Sequence, residues 1–153
     1  MKRAALTLLV ILFANGAFAQ ERKADSLLKL ISHADDKQKA SLYNDLAAFY
    51  RQSEPSKNIE YSLKALEFAQ RVKDRSQEGL AYSNLGFAWY IKGDYDKSTD
   101  YTGKAIEIGK EITDKKLLGA CYNTLALLNQ NQGNMNKSLD NFLLALQNRE
   151  AAG

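Results

Sequence analysis

From residue 21 onward, apolar side chains recur every three or four positions and polar ones fill the intervals. That is the period of a helix with one buried face. Ala24, Leu27, Leu28, Ile31 and Ala34 form the first stripe and predict a leading helix over 21–34. Leu80, Tyr82, Leu85, Gly86, Trp89 and Tyr90 form another, and Ile106, Ile108 and Ile112 a third. Between these last two, Gly93 can take the left-handed conformation that ends a helix, and Asp94 can cap the next. Gly133-Asn134 repeats that pair. Pro55 suits a first helical turn because its φ is fixed near the helical value, with Ser53 or Glu54 as cap. Ser76 and Asp114 are the expected caps at the junctions between units.

The stripes are copies of one another. Tyr43-Asn44-Asp45-Leu46-Ala47 aligns with Tyr82-Ser83-Asn84-Leu85-Gly86 and with Tyr122-Asn123-Thr124-Leu125-Ala126, the tyrosines lying 39 and 40 residues apart. Lys57-Asn58, Lys97-Ser98 and Lys137-Ser138 follow at steps of 40, as do Ala65-Leu66, Ala105-Ile106 and Ala145-Leu146. One residue fewer in the first unit's turn accounts for the 39. Repeats therefore run over about 37–75, 76–113 and 114–150, each a pair of helices. The leading helix covers the open face of the first pair, as an end cap must. The expected architecture is all-α: about seven helices in a right-handed solenoid of antiparallel pairs.

The first residues belong to a different pattern. Lys2 and Arg3 precede an apolar run from Ala4 to Phe13 broken only by Thr7, and Ala17-Phe18-Ala19 matches a signal-peptidase site. The run is about half of the ~20 residues that a spanning helix needs. Residues 1–19 are thus expected to be a signal peptide cut between Ala19 and Gln20, leaving 20–153 as a periplasmic or secreted helical domain. Lys2 and Arg3 account for two of the 21 basic residues; without them 19 stand against 18 acidic ones, a net charge of +1. Such a balance gives no footprint for nucleic acid.

Candidate chemistry is thin. His33, the only histidine, sits beside Asp35 and Asp36 at a helix end and reads as solvated. Cys121, the only cysteine, lies in an apolar stretch and reads as a small buried filler. With one of each, and those in distant units, no zinc site of nitrogen and sulfur ligands is expected. Gly79, Gly86, Gly103 and Gly119 fall inside predicted helices, not in a phosphate-cradling loop. The carboxylates form no evident acid–base pair. Tyr43, Tyr82 and Tyr122 are expected to pack at the core, and Lys64, Lys104 and Lys110 to lie on outer faces. No catalysis, cofactor or metal is expected.

The repeat resembles the tetratricopeptide family. Tyr82, Leu85, Gly86, Trp89, Ser98 and Ala105 fit that family's spacing, and Tyr122, Leu125, Ala126, Ser138, Phe142 and Ala145 fit it in the third unit. The likeness spans about residues 40–150. It departs in its period of about 40 against the usual 34, in lacking the proline that ends the second helix, and in Asn129, which replaces the second aromatic. HEAT-type repeats share the period but give no reason for Leu-Gly followed by Gly-Asp-Tyr.

The resemblance implies a protein or peptide partner, held on a concave side lined by the first helix of each unit. Carrying over the family's groove positions gives Asn44, Ala48 and Arg51 in the first unit. The second unit supplies Ser83, Phe87 and Tyr90, and the third Asn123, Leu127 and Gln130. Such long repeats look like those in exported sensor arms of bacterial signalling proteins, notably membrane histidine kinases and helix-turn-helix regulators. The alternative to a free-standing scaffold is therefore an amino-terminal arm of a longer sensor, the only case in which a membrane is involved. The absence of a polar closing helix after Gln147-Asn148-Arg149 agrees with that alternative; should the groove not bind, the convex side or the last helix around Phe142 and Leu143 is the next candidate surface.

Exported protein is expected to begin at Gln20; mass spectrometry of secreted or periplasmic material showing an intact Met1 would overturn the signal-peptide reading.

Overall fold

The computed structural model describes residues 22–153; the signal peptide and its cut between Ala19 and Gln20 lie outside the described residues. Residues 22–31 are helical (α1). There follow α2 (Asp36–Phe49), α3 (Pro55–Arg71), α4 (Arg75–Ile91), α5 (Tyr95–Glu111), α6 (Lys115–Asn131) and α7 (Met135–Ala152). No strand occurs among the described residues.

The helix ends follow from local chemistry, with some differences from expectation; Asn134, for one, stands at the cap position of α7 without a side-chain cap bond. The leading helix stops at Ile31, three residues early, because Asp35 and Gln38 form a reciprocal capping box that starts α2. The Asp35 carboxylate accepts from the Gln38 backbone at 2.8 Å, and the Gln38 side chain accepts from the Asp35 backbone at 3.1 Å. The cap of α4 is Asp74, which accepts from the Gln77 N–H at 3.1 Å, and not Ser76. Asp94 and Asp114 cap α5 and α6 in the same way. Pro55 begins α3, and Glu54 before it holds Lys57 at 3.0 Å without capping the helix.

The turns within units two and three use Gly93 and Gly133, at φ of 79° and 77°. The turns between units put Lys73 and Thr113 in the same left-handed region, at 57° and 58°. That conformation costs an L-residue about 1–2 kcal/mol. It is retained because the next amide then reaches back to an open helix carbonyl: Asp74 N–H to Ala69 and Asp114 N–H to Gly109, both at 2.8 Å.

Each unit is closed by one buried hydrogen bond. In the first turn of the second helix, Asn58, Ser98 and Ser138 donate to the carbonyls of Ala47, Gly86 and Ala126 at 2.7, 2.7 and 2.9 Å. The acceptors are the small residues of the repeat, and the two backbones meet there. A Cβ on Gly86 would lie 2.3 Å from Thr102 Oγ1 and 3.1 Å from the Thr102 backbone nitrogen.

The helices form two layers. α2, α4 and α6 touch one another along the stack, whereas α3, α5 and α7 touch only helices adjacent in sequence. Ile108, Leu117, Cys121 and Ala105 fill one junction between units. At the other end Ala24 and Ile31 of α1 bury against Leu46, so the leading helix does cover the first unit.

Tyr43 and Tyr82 are half-buried at the core's edge. Tyr43 stacks on Tyr61 at 6.2 Å and Tyr82 on Tyr101 at 6.1 Å. Above each pair stands a lysine held by an acid four residues earlier: Lys64 by Glu60 and Lys104 by Asp100, both at 2.7 Å. These outer-layer lysines cover aromatic surface while keeping their charge wet.

Gly86→Ala is expected to destabilise the protein by ~1–3 kcal/mol through overpacking. Gly103→Ala, where nothing lies within 4 Å of the added carbon, should stabilise it by ~0.5–1 kcal/mol through helix propensity. Urea denaturation separates the two; equal effects would show that the backbones do not meet at Gly86.

Candidate functional site

Since α2, α4 and α6 alone touch along the stack, they present one continuous wall. The nine residues expected there divide into two sets. Asn44, Ser83 and Phe87 are buried, at 5%, 4% and 8% exposure. Ala48 and Gln130 are exposed, and Arg51, Tyr90, Asn123 and Leu127 are half-buried.

The buried set joins the units to one another. The Asn44 amide donates to the Gln77 carbonyl at 2.9 Å and to the Gln77 side chain at 3.0 Å. Its oxygen accepts from Asn84 at 3.3 Å. Both donor hydrogens of the Asn44 amide are thus directed within the protein. An unsatisfied amide at this depth costs more than a new partner returns. Ser83 lies close enough to the Cys121 thiol to affect its proton affinity. Phe87 is a support for other groups and not an open anchor.

The accessible set is built on that support. The Arg51 guanidinium lies over the Phe87 ring, 4.0 Å from its centroid, a cation–π stack. Tyr90 packs beside Phe87 at 6.0 Å and beside Tyr95 at 6.2 Å, and its hydroxyl accepts from Asn131 at 3.2 Å. Asn131 also reaches the Tyr95 hydroxyl at 3.3 Å. At the α2 end, Ala48, Phe49, Arg51, Gln52 and Ser53 line a hollow of about 420 Å³. In the third unit Asn123 makes no side-chain hydrogen bond among the described residues, so its amide, unlike that of Asn44, is open to a partner.

Burial is the main force on the charged groups here. It pulls the Arg51 pKa down, the like charge of Arg149 acts the same way, and Cys121 opposes them. It pushes the Cys121 thiol up to about 11, against the hydrogen bond from Ser83 and the charge of Arg51. The thiol is thus neutral at pH 7 and no nucleophile.

Gln77, Asn84, Asn131 and Arg149 were missed by sequence reasoning. Gln77 and Asn84 lie on α4 and Asn131 on α6, within the wall itself but outside the carried-over groove positions. Arg149 lies on a second-layer helix, which the groove pattern omits. His33 lines a separate, mainly apolar hollow with Leu30, Ala34, Gln38, Ser41 and Leu42. Among the described residues no three metal-ligating side chains converge, and no helix is long and apolar enough to cross a membrane.

No family model matches the chain, and neither does any curated protein. Among solved structures it is similar to the crystal structure of the TPR domain of Arabidopsis FLU. The two are 23% identical, with a TM-score of 0.67 over 76% of this chain and 99% of that domain. At that identity the likeness is one of fold, and the fold is the tetratricopeptide-type helical solenoid.

Cys121 should resist a thiol reagent such as Ellman's in native buffer and react at once in urea. Its folded pKa is raised, so the unfolded state loses the proton first, near about 8.5. Stability should therefore fall as pH rises from there towards about 11, and fall less steeply in Cys121→Ala. Rapid native labelling would place the thiol at the surface.

Proposed function

We propose that this tetratricopeptide-fold chain is a non-catalytic scaffold that binds a protein or peptide segment along the wall of α2, α4 and α6. One observation carries the reading: these three helices touch in series and so offer a single uninterrupted surface. That surface bears both apolar and polar accessible groups, Ala48, Tyr90 and Leu127 beside Arg51, Asn123 and Gln130. A rigid surface of this kind suits an extended segment, because little of the protein must be ordered on binding. The sequence pattern of residues 1–19 supports placing this scaffold outside the cytoplasm.

The sensor-arm alternative is favoured by α7. Met135, Leu139, Leu143 and Leu146 are each at least half exposed and lie on one side of that helix, an apolar surface of the kind that marks an interaction. In that reading the chain is the periplasmic arm of a longer signalling protein, and the wall is where its signal binds.

Peptides selected from a displayed random library against the chain provide the probe. Ala48→Trp and Leu127→Trp, which obstruct the wall, should weaken the selected peptides ~10-fold or more. Lys64→Glu and Lys104→Glu on the outer layer should leave binding unchanged. The reverse pattern would move the binding surface to α3 and α5 and end this proposal.

A further inference from the structure

Two arginines among the described residues are held by two acids each. Arg71 holds Asp36 at 3.1 Å and Glu67 at 2.7 Å, and Arg75 holds Glu78 at 2.6 Å together with Glu111. Arg51 and Arg149 differ. Neither makes an ion pair or a side-chain hydrogen bond among the described residues. For Arg149, at the end of α7, solvent is a sufficient partner. Arg51 is half-buried, with one face of its guanidinium against Phe87.

A guanidinium cannot shed its proton to relieve burial. Desolvation already depresses the Arg51 pKa, and the nearby like charge of Arg149 adds to the effect. The Cys121 thiol, being neutral, supplies no counter-charge. A buried charge without a partner is costly, and this one is held in place by an aromatic ring instead of an acid. The stack leaves the guanidinium edge free. That edge presents parallel N–H donors, the geometry that receives a planar carboxylate through two bonds. Access is through the hollow that Ala48, Gln52 and Ser53 line with Arg51.

We infer that Arg51, stacked on Phe87 at the α2 end of the wall, is an anion-accepting subsite that takes a side-chain carboxylate of the bound segment. The inference rests on the wall being the binding surface and adds a chemical class to its partner: a segment with an acidic residue placed over α2. Arg149 strengthens the local positive potential without contacting the ligand. Gln52 and Ser53, on the rim of the same hollow, are within reach of the peptide on either side of that residue.

The test titrates the whole chain, labelled with ¹⁵N, with an end-blocked Gly-Glu-Gly-Glu-Gly peptide, its Gln counterpart, and inorganic phosphate. The reporter is the Arg51 Nε–Hε resonance, with that of ion-paired Arg71 as reference. The Glu peptide should shift the Arg51 signal saturably and leave Arg71 still; the Gln peptide should not. Arg51→Gln should bind the Glu peptide ~10-fold more weakly, and Arg51→Lys should fall between, because it keeps the charge and loses the fork. Equal shifts from the Glu and Gln peptides, or unweakened binding by Arg51→Gln, would overturn the subsite. Phosphate binding as tightly as the Glu peptide would overturn the carboxylate assignment. Ala48→Trp separates the two levels of the argument. If it abolishes binding while Arg51→Gln does not, the wall stands and the anion subsite falls; if neither variant matters, both fall.

Discussion

The close approach of two backbones inside each unit is the constraint on which the rest depends. It occurs at Ala47, Gly86 and Ala126, and at each the facing helix donates one buried side-chain hydrogen bond to the carbonyl. A larger residue would separate the helices, since a Cβ added at Gly86 would collide with Thr102. A missing donor would leave a polar side chain's place in the core empty. Since the bond fixes how far the second helix slides along the first, it also fixes where that helix ends and where the next unit begins. The left-handed turns at Lys73 and Thr113 are strain that this register imposes and that the returning amide bonds offset.

Between units the joint is of mixed character. Towards the second layer it is apolar, with Ile108 and Leu117 packed over the Gly79 backbone. Towards the shared wall it is polar: Asn44 binds Gln77 and Asn84. Polar contacts at these depths are directional, so they set the angle between units where apolar packing alone would tolerate a range. The wall consequently behaves as a rigid platform, and its accessible groups are displayed at fixed positions upon it.

The distribution of charge singles out one end of that platform. Several surface charges are paired within one helical turn, such as Lys64 with Glu60 and Lys97 with Asp94. Surface pairs of this sort contribute little to stability. Arg51 stands apart as a partly desolvated cation supported by an aromatic ring, on the surface formed by α2, α4 and α6. Catalysis finds no comparable concentration of groups: the one thiol is neutral and buried, and the one histidine stands away from the wall.

The sequence by itself determined the helices, their pairing and the repeat. These are local properties: a period of three to four residues, glycine and aspartate at the turns, and small residues recurring every 39 or 40 positions. It also marked Asn58, Ser98 and Ser138 as equivalent without saying why. Capping was legible to within two residues, and failed at Ser76 because Asp74 competes for the same amides. The wall was legible as a set of positions, and its members' roles were not. Whether a residue such as Asn44, Phe87 or Arg51 faces a ligand depends on what the neighbouring unit places against it, thirty to forty residues away. Repeat alignment treats each unit alone, whereas burial and pairing are properties of the stack. Only the tertiary structure could decide that Asn44 bonds to the next unit, that Phe87 is buried beneath Arg51, and that Arg51 has no ion-pair partner among the described residues.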